Sequence, residues 1–222
     1  MTLVPIFSPT NKPPITVEDG GNAQNNSGSS DVTFSGVDIG TAATDRIVVV
    51  MHGCYLNLVT DIKIGGTSGT KIVELDGGNA TASIWARAVA SGTTADIRLI
   101  YGSSLYPRGI YVAAMYGADI SPHATATSNE DTPPPMTASL AIPAGGAAFG
   151  IAYYSHGSTI QTFTWANLTE KVDLNLVRIG MSMTAAQTTS AAAATPTITC
   201  QPSGPNEDDL RCAMALASFA PA

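Results

Sequence analysis

Short apolar runs broken by glycine-rich and proline-rich turns dominate the chain, and none has the three-to-four-residue spacing of an amphipathic helix. Ile47–Met51 is an unbroken apolar run, as expected of a central strand covered on both faces, whereas Val32–Phe34 alternates like a half-buried strand. Further strands are expected at Ile62–Ile64, Lys71–Leu75, Ala82–Val89, Ile97–Tyr101 and Ile110–Tyr116, with Gly65-Gly66 and Ser91–Thr94 as turns. Pro133-Pro134-Pro135 marks a joint, because proline cannot donate to a ladder. After it the pattern predicts strands at Ala138–Ile142, Ala148–Tyr154, Phe163–Trp165, Glu170–Asp173, Val177–Met183, Thr197–Cys200 and Arg211–Phe219. Ala191–Ala194 is too short to nucleate a helix.

The second set echoes the first. Asp45–Gly53, closing on His52-Gly53, is answered by Ala147–Gly157, closing on His156-Gly157. Lys71–Glu74 is answered by Glu170–Asp173, and Ile110–Ala118 by Cys212–Ala220. The pattern predicts an all-β protein: an antiparallel β-sandwich or jelly-roll-like domain over residues 31–222, with diverged repeats at about 31–120 and 136–222. Residues 1–30 read as an extended N-terminal arm. Leu3, Val4, Ile6 and Phe7 form its apolar tip, prolines follow, and Gly20–Ser30 has the Gly/Asn/Ser composition of a linker. Such a tip is expected to dock on a partner, and removing Met1–Ser30 to leave the sandwich's melting temperature unchanged.

Composition sharpens this picture. Only 12% of residues are charged, about half the roughly 25% of an ordinary soluble domain. From Thr132 to Thr169, and again from Ile179 to Asn206, there is no Asp, Glu, Lys or Arg. Exposed strands normally keep charges to block edge pairing, so these stretches suggest burial in an assembly, either a homo-oligomer or a lattice. A net charge of −7 and scattered basic residues argue against nucleic acid. No apolar stretch has the length of a membrane span, and the chain reads as made in the cytoplasm. Cys54, Cys200 and Cys212 are then expected as reduced core thiols, although Cys200 and Cys212 flank one hairpin.

Catalytic templates are not met. Ser68-Gly69-Thr70-Lys71 fits Ser-x-x-Lys but lies in a hairpin, and no nucleophile elbow, phosphate loop or dinucleotide loop occurs. No catalytic residue, metal ligand or cofactor is assigned. His52 and His156 hold matching repeat positions, but a metal needs further ligands, and His123 stands apart in a loop. The loops Asn129–Asp131 and Asn206–Asp209 offer oxygens for Ca²⁺ without the spacing of a known calcium loop, and read as solvated tips. Trp85 and Trp165 are candidates for stacking on a glycan, with a strand position in the core as the plainer reading.

Three segments carry a resemblance: Val32–Gly40, Asp45–Val50 and Ile62–Gly66. With Asn167–Glu170 and the terminal Leu216–Pro221, they make the chain similar to small β-sandwich proteins encoded among the structural genes of tailed bacteriophages and prophages. The resemblance spans roughly Val32 to Pro221. It implies a virion component whose partners are major capsid or tail proteins, and it carries over no catalytic residue. Within it, a capsid decoration protein is expected to clamp its neighbours through charge-poor faces and the arm. A tail or head-fibre component is instead expected to present a carbohydrate-binding sandwich to a host glycan.

Overall fold

Apolar side chains on both faces of a strand demand a covering layer on each side, and Ile47–Cys54 is buried at every position. The computed structural model describes residues 12–56, 58–105, 107–130, 135–155, 162–176, 180–203 and 211–222. In the first half the strands are β1 (Thr16–Asn25), β2 (Ser29–Asp38), β3 (Ile47–Cys54), β4 (Val59–Ile64), β5 (Thr67–Ser68), β6 (Thr70–Asp76), β7 (Thr81–Ala88), β8 (Thr94–Leu105) and β9 (Arg108–Tyr116). The second half supplies β10 (Ala118–Glu130), β11 (Met136–Ser139), β12 (Ala147–Ser155), β13 (Thr162–Ala166), β14 (Thr169–Leu176), β15 (Met181–Thr189), β16 (Thr197–Ser203) and β17 (Arg211–Pro221).

Each half is an antiparallel sandwich. The first has an inner sheet ordered β1-β9-β3-β7-β6 and an outer sheet ordered β2-β8-β4-β5. The second has an inner sheet ordered β10-β17-β12-β15-β14 and an outer sheet ordered β11-β16-β13. Strand for strand the two orders coincide, with β5 the extra strand among the described residues. The layers are therefore four rather than the two expected. Val48, Val50, Ile110 and Val112 point into the first sandwich, and Ala152, Met214 and Leu216 into the second. Their neighbours Val49, Met51, Tyr111, Phe149, Ile151, Tyr153 and Phe219 form a third core between the two inner sheets. There Phe149 and Phe219 meet edge-on at 5.8 Å. This third core accounts for much of the charge-poor sequence, since β12 and most of β15 are buried inside the chain itself.

The turns correct one equivalence. Arg46 N donates to Ala43 O just before β3 starts at Ile47, as Gly146 N donates to Pro143 O just before β12 starts at Ala147. The same alignment carries His52, opposite Ile110 and Ser83, onto Ala152, opposite Met214 and Thr184. Ala152 is thus the counterpart of His52, while His156 lies outside the described residues. The sequence echo is off by four positions, and because side chains alternate with a period of two, an even slip leaves the in-out pattern intact.

The linker reading of Gly20–Ser30 is also overturned, because β1 pairs with β9 along the edge of the inner sheet and β2 starts at Ser29. The ladder shifts between Asp19 and Asn22, so that Gly20-Gly21 is a bulge. A Cβ on Gly20 would lie 2.7 Å from the Asp38 carbonyl oxygen and 2.8 Å from that of Val112, so glycine stands there for close approach. Deleting residues 1–30 would remove a strand and also Ile15, which is buried in the third core and hydrogen-bonded to Gly145. Leu3, Val4, Ile6 and Phe7 lie outside the described residues. Three further strands differ from expectation: Ala118–Glu130 forms β10 where a loop was read, β11 covers Met136–Ser139 where Ala138–Ile142 was expected, and β15 runs from Met181 through Thr189, past the expected end at Met183.

Candidate functional site

The first sandwich holds a connected group of polar side chains in its core. Nδ1 of His52 lies 3.1 Å from Ser83 Oγ, and Nε2 lies 2.7 Å from the Tyr101 hydroxyl. Trp85 donates its indole N–H to Ser83 Oγ at 3.2 Å. The Arg108 guanidinium sits 4.8 Å from the Tyr101 ring centre and donates to the Ser29 and Ser27 carbonyls at 2.7 and 2.6 Å. Burial, helped by the Arg108 charge, pushes the His52 pKa down to about 3. Burial likewise raises the Cys54 thiol to about 12 and the Tyr101 hydroxyl well above its ordinary value. A serine beside a histidine is the start of a nucleophilic site, but His52 and Ser83 are both fully buried. What the group does is tie the β1–β2 connection to the core through Arg108.

Trp85 and Trp165 do not fit the stacking role expected of them, because they are only 4% and 8% exposed and fill the two sandwich cores. The Trp165 indole N–H donates to Thr184 Oγ1 at 2.9 Å, as a buried indole must find a partner. Cys54, Cys200 and Cys212 are not joined in disulfides, and all three are buried. His123 is exposed on β10, beside a shallow cleft of about 440 Å³ lined with Ile142, Pro143, Ala144 and Ala193. Asp131 and the loop 206–209 lie outside the described residues. Among the described residues no three His, Cys, Asp or Glu side chains gather as metal ligands, and no helix is long and apolar enough to cross a membrane.

Sequence reasoning missed a polar seam where the third core reaches the surface. Asp19, at the β1 bulge of the first half, accepts hydrogen bonds from Tyr111 Oη at 2.9 Å and from Gln187 Nε2 of the second half at 2.7 Å. The Lys171 ammonium is 3.1 Å from the same carboxylate. Burial, with the Asp19 carboxylate beside it, pushes the Tyr111 hydroxyl above its usual range. Gln187 is 5% exposed, and its Oε1 has no hydrogen-bond partner. Next to it opens a cleft of about 230 Å³ lined by Val17, Thr169, Lys171, Gln187, Thr188 and Thr189. The only signal in the sequence was Glu18-Asp19 ahead of two glycines, which composition assigned to a tether.

The two outer sheets present unlike faces. On the first, Asp31, Asp96 and Arg98 are exposed, Asp61 and Lys63 half-exposed, and Arg98 pairs with Asp31. The three strands of the second contain no charged residue. Its outward positions are Thr137 opposite Thr199 opposite Ala166, Gln201 opposite Thr164, Ser203 opposite Thr162, and Ser139 opposite Thr197. No family model matches the chain, and neither a curated protein nor a solved structure does.

Proposed function

We propose that this protein is a structural component of a tailed-phage virion, a capsid decoration protein that adheres to neighbouring subunits through the outer sheet of its second half. The observation that carries the reading is the uncharged Thr/Ser/Gln/Ala face of β11, β16 and β13 on a chain of net charge −7. The centres of protein interfaces are depleted of charge, since each charge buried there must be desolvated. The phage particle is named on the resemblance of Val32–Gly40, Asp45–Val50 and Ile62–Gly66. A rigid four-layer stack suits a clamp, because it transmits load without rearranging. Leu3, Val4, Ile6 and Phe7 add an apolar contact in the same reading.

Quantitative mass spectrometry of purified particles tests it. A high, fixed ratio to the major capsid protein is the expected result. A few copies per particle would instead support a tail or head-fibre component, a reading favoured by the polar cleft at the seam. Absence from particles would end both. Because β1 belongs to the inner sheet, the truncation that tests the arm removes residues 1–11 only. That variant is expected to keep the full-length melting temperature and to lose particle binding.

A further inference from the structure

We infer that the cleft at the seam between the two halves is a binding site for a neutral polyhydroxylated ligand the size of one sugar ring. The argument begins at Gln187. Its Nε2 is committed to the Asp19 carboxylate, which fixes the orientation of the amide, since the flipped form would set oxygen against oxygen. Oε1 is thereby left buried without a donor, and groups in that state are rare and costly. The side chain carrying it lines the cleft beside the flexible Lys171 side chain; Oε1 itself is closed to solvent, and a ligand hydroxyl supplies the missing hydrogen bond as that neighbour gives way.

The rest of the lining selects for chemistry and charge. Thr169, Thr188 and Thr189 bring hydroxyls that both donate and accept, and the Lys171 ammonium has protons beyond the one directed at Asp19. A ligand whose own groups donate and accept in alternation satisfies this set, as sugar hydroxyls do. The Lys171 and Asp19 charges offset one another 3.1 Å apart, so neither an anion nor a cation gains from entering. A cleft of about 230 Å³ lies below the roughly 300–1,000 Å³ of sites for drug-sized ligands and suits a single ring. Val17 supplies an apolar patch, and no aromatic side chain lines the site, so weak, millimolar-range binding is expected. Because Val17 comes from the first half and the other lining residues from the second, an occupied cleft would also stabilise the stack by linkage.

The test uses the full chain with glucose, galactose, mannose and N-acetylglucosamine as separate probes and inorganic phosphate as the charged control. Saturation-transfer NMR reads binding and the melting temperature reads linkage. At least one sugar is expected to give a saturable signal and a concentration-dependent rise in melting temperature, while phosphate gives neither. Gln187→Leu should abolish both effects. Since that change also breaks the bond to Asp19, Thr189→Trp, at an exposed strand end, blocks the cleft without touching Gln187 and should abolish them in a protein of unchanged circular dichroism. No saturable signal from any sugar, a signal that survives Thr189→Trp, or phosphate binding in place of sugar would each overturn the inference. None of these outcomes depends on whether the protein is found in particles.

Discussion

The two halves share one strand order but close their sandwiches with different chemistry, most plainly at the turn before the central strand. In the first half Arg46 N donates to Ala43 O and Val89 N to Arg46 O; in the second Gly146 N donates to Pro143 O and Ser190 N to Gly146 O. The backbone is the same and the side chain is not. Arg46 is fully buried and gives hydrogen bonds to the carbonyls of Gly40, Val89 and Ser91 at 2.7, 2.8 and 2.9 Å. At Gly146 a Cβ would meet Phe219 O at 2.6 Å, so the second half brings strand β17 into the space that the first half gives to a cation. Likewise His52, Ser83 and Arg108 form a polar core where the second half has Ala152, Thr184 and Cys212. One topology therefore accepts either a hydrogen-bonded polar network or close apolar packing.

The largest effect that would break this comparison is expected from Arg46→Ala. The fully buried guanidinium gives three hydrogen bonds worth roughly 1–3 kcal/mol each, to the half-buried Gly40 and Val89 and the exposed Ser91, and water recovers part of them, so the loss should be about 3–5 kcal/mol in urea denaturation. Gly146→Ala at the matching position should cost less, about 1–3 kcal/mol, through overpacking against Phe219 rather than lost hydrogen bonds. A loss below about 1 kcal/mol for Arg46→Ala would show that the cation does not hold the turn.

Acid sharpens the comparison next. The folded-state pKa of His52 lies near 3, below the unfolded value of 6.5, because burial and Arg108 oppose its charge. Between those values the unfolded chain binds the proton and the folded chain does not, so stability falls as pH drops from about 6.5 toward 3, by about 1.4 kcal/mol per unit. Ala152, the counterpart in the second half, carries no titratable group, so nothing there responds in that window. His52→Gln should therefore flatten the pH dependence, losing about 2–3 kcal/mol less than the native chain between pH 6.5 and 4.5. Equal slopes in the two proteins would mean that His52 is protonated in the folded state.

How much of this was legible follows from which residues report on one face and which on two. Ile47–Met51 announced a doubly covered strand, and the all-β antiparallel class followed from the short apolar runs and their turns. An apolar run says that both faces are covered but not by what, so the third core between the inner sheets was invisible and its charge-poor strands read as an intermolecular surface. β10 was missed because Ala124, Thr125, Ala126 and Thr127 are small and weakly polar, without the bulky alternation that marks a strand. The seam was missed because Asp19, Lys171 and Gln187 meet only through the stacking of the halves. Trp85 and Trp165 lie on strands as expected, but sequence does not say which face of the strand they occupy.

The smallest effect on stability is expected at the outer sheets, and there the comparison turns into a test of function. Thr137 and Thr164 are exposed on the uncharged face of the second half, as Thr33 and Ser35 are on the charged face of the first. Exposed threonines away from caps and networks tolerate replacement within about 0.5 kcal/mol, so Thr137→Lys with Thr164→Lys and Thr33→Lys with Ser35→Lys should both leave the melting temperature nearly unchanged. Copy number on particles should separate them. Two lysines at the centre of a charge-free interface must be desolvated without partners, whereas two more charges on a face already bearing Asp31, Asp96 and Arg98 change little. Loss of particle association from the first pair alone would place the contact on the second outer sheet. Equal retention by both would remove the uncharged face from the binding surface, whatever the particle proves to be.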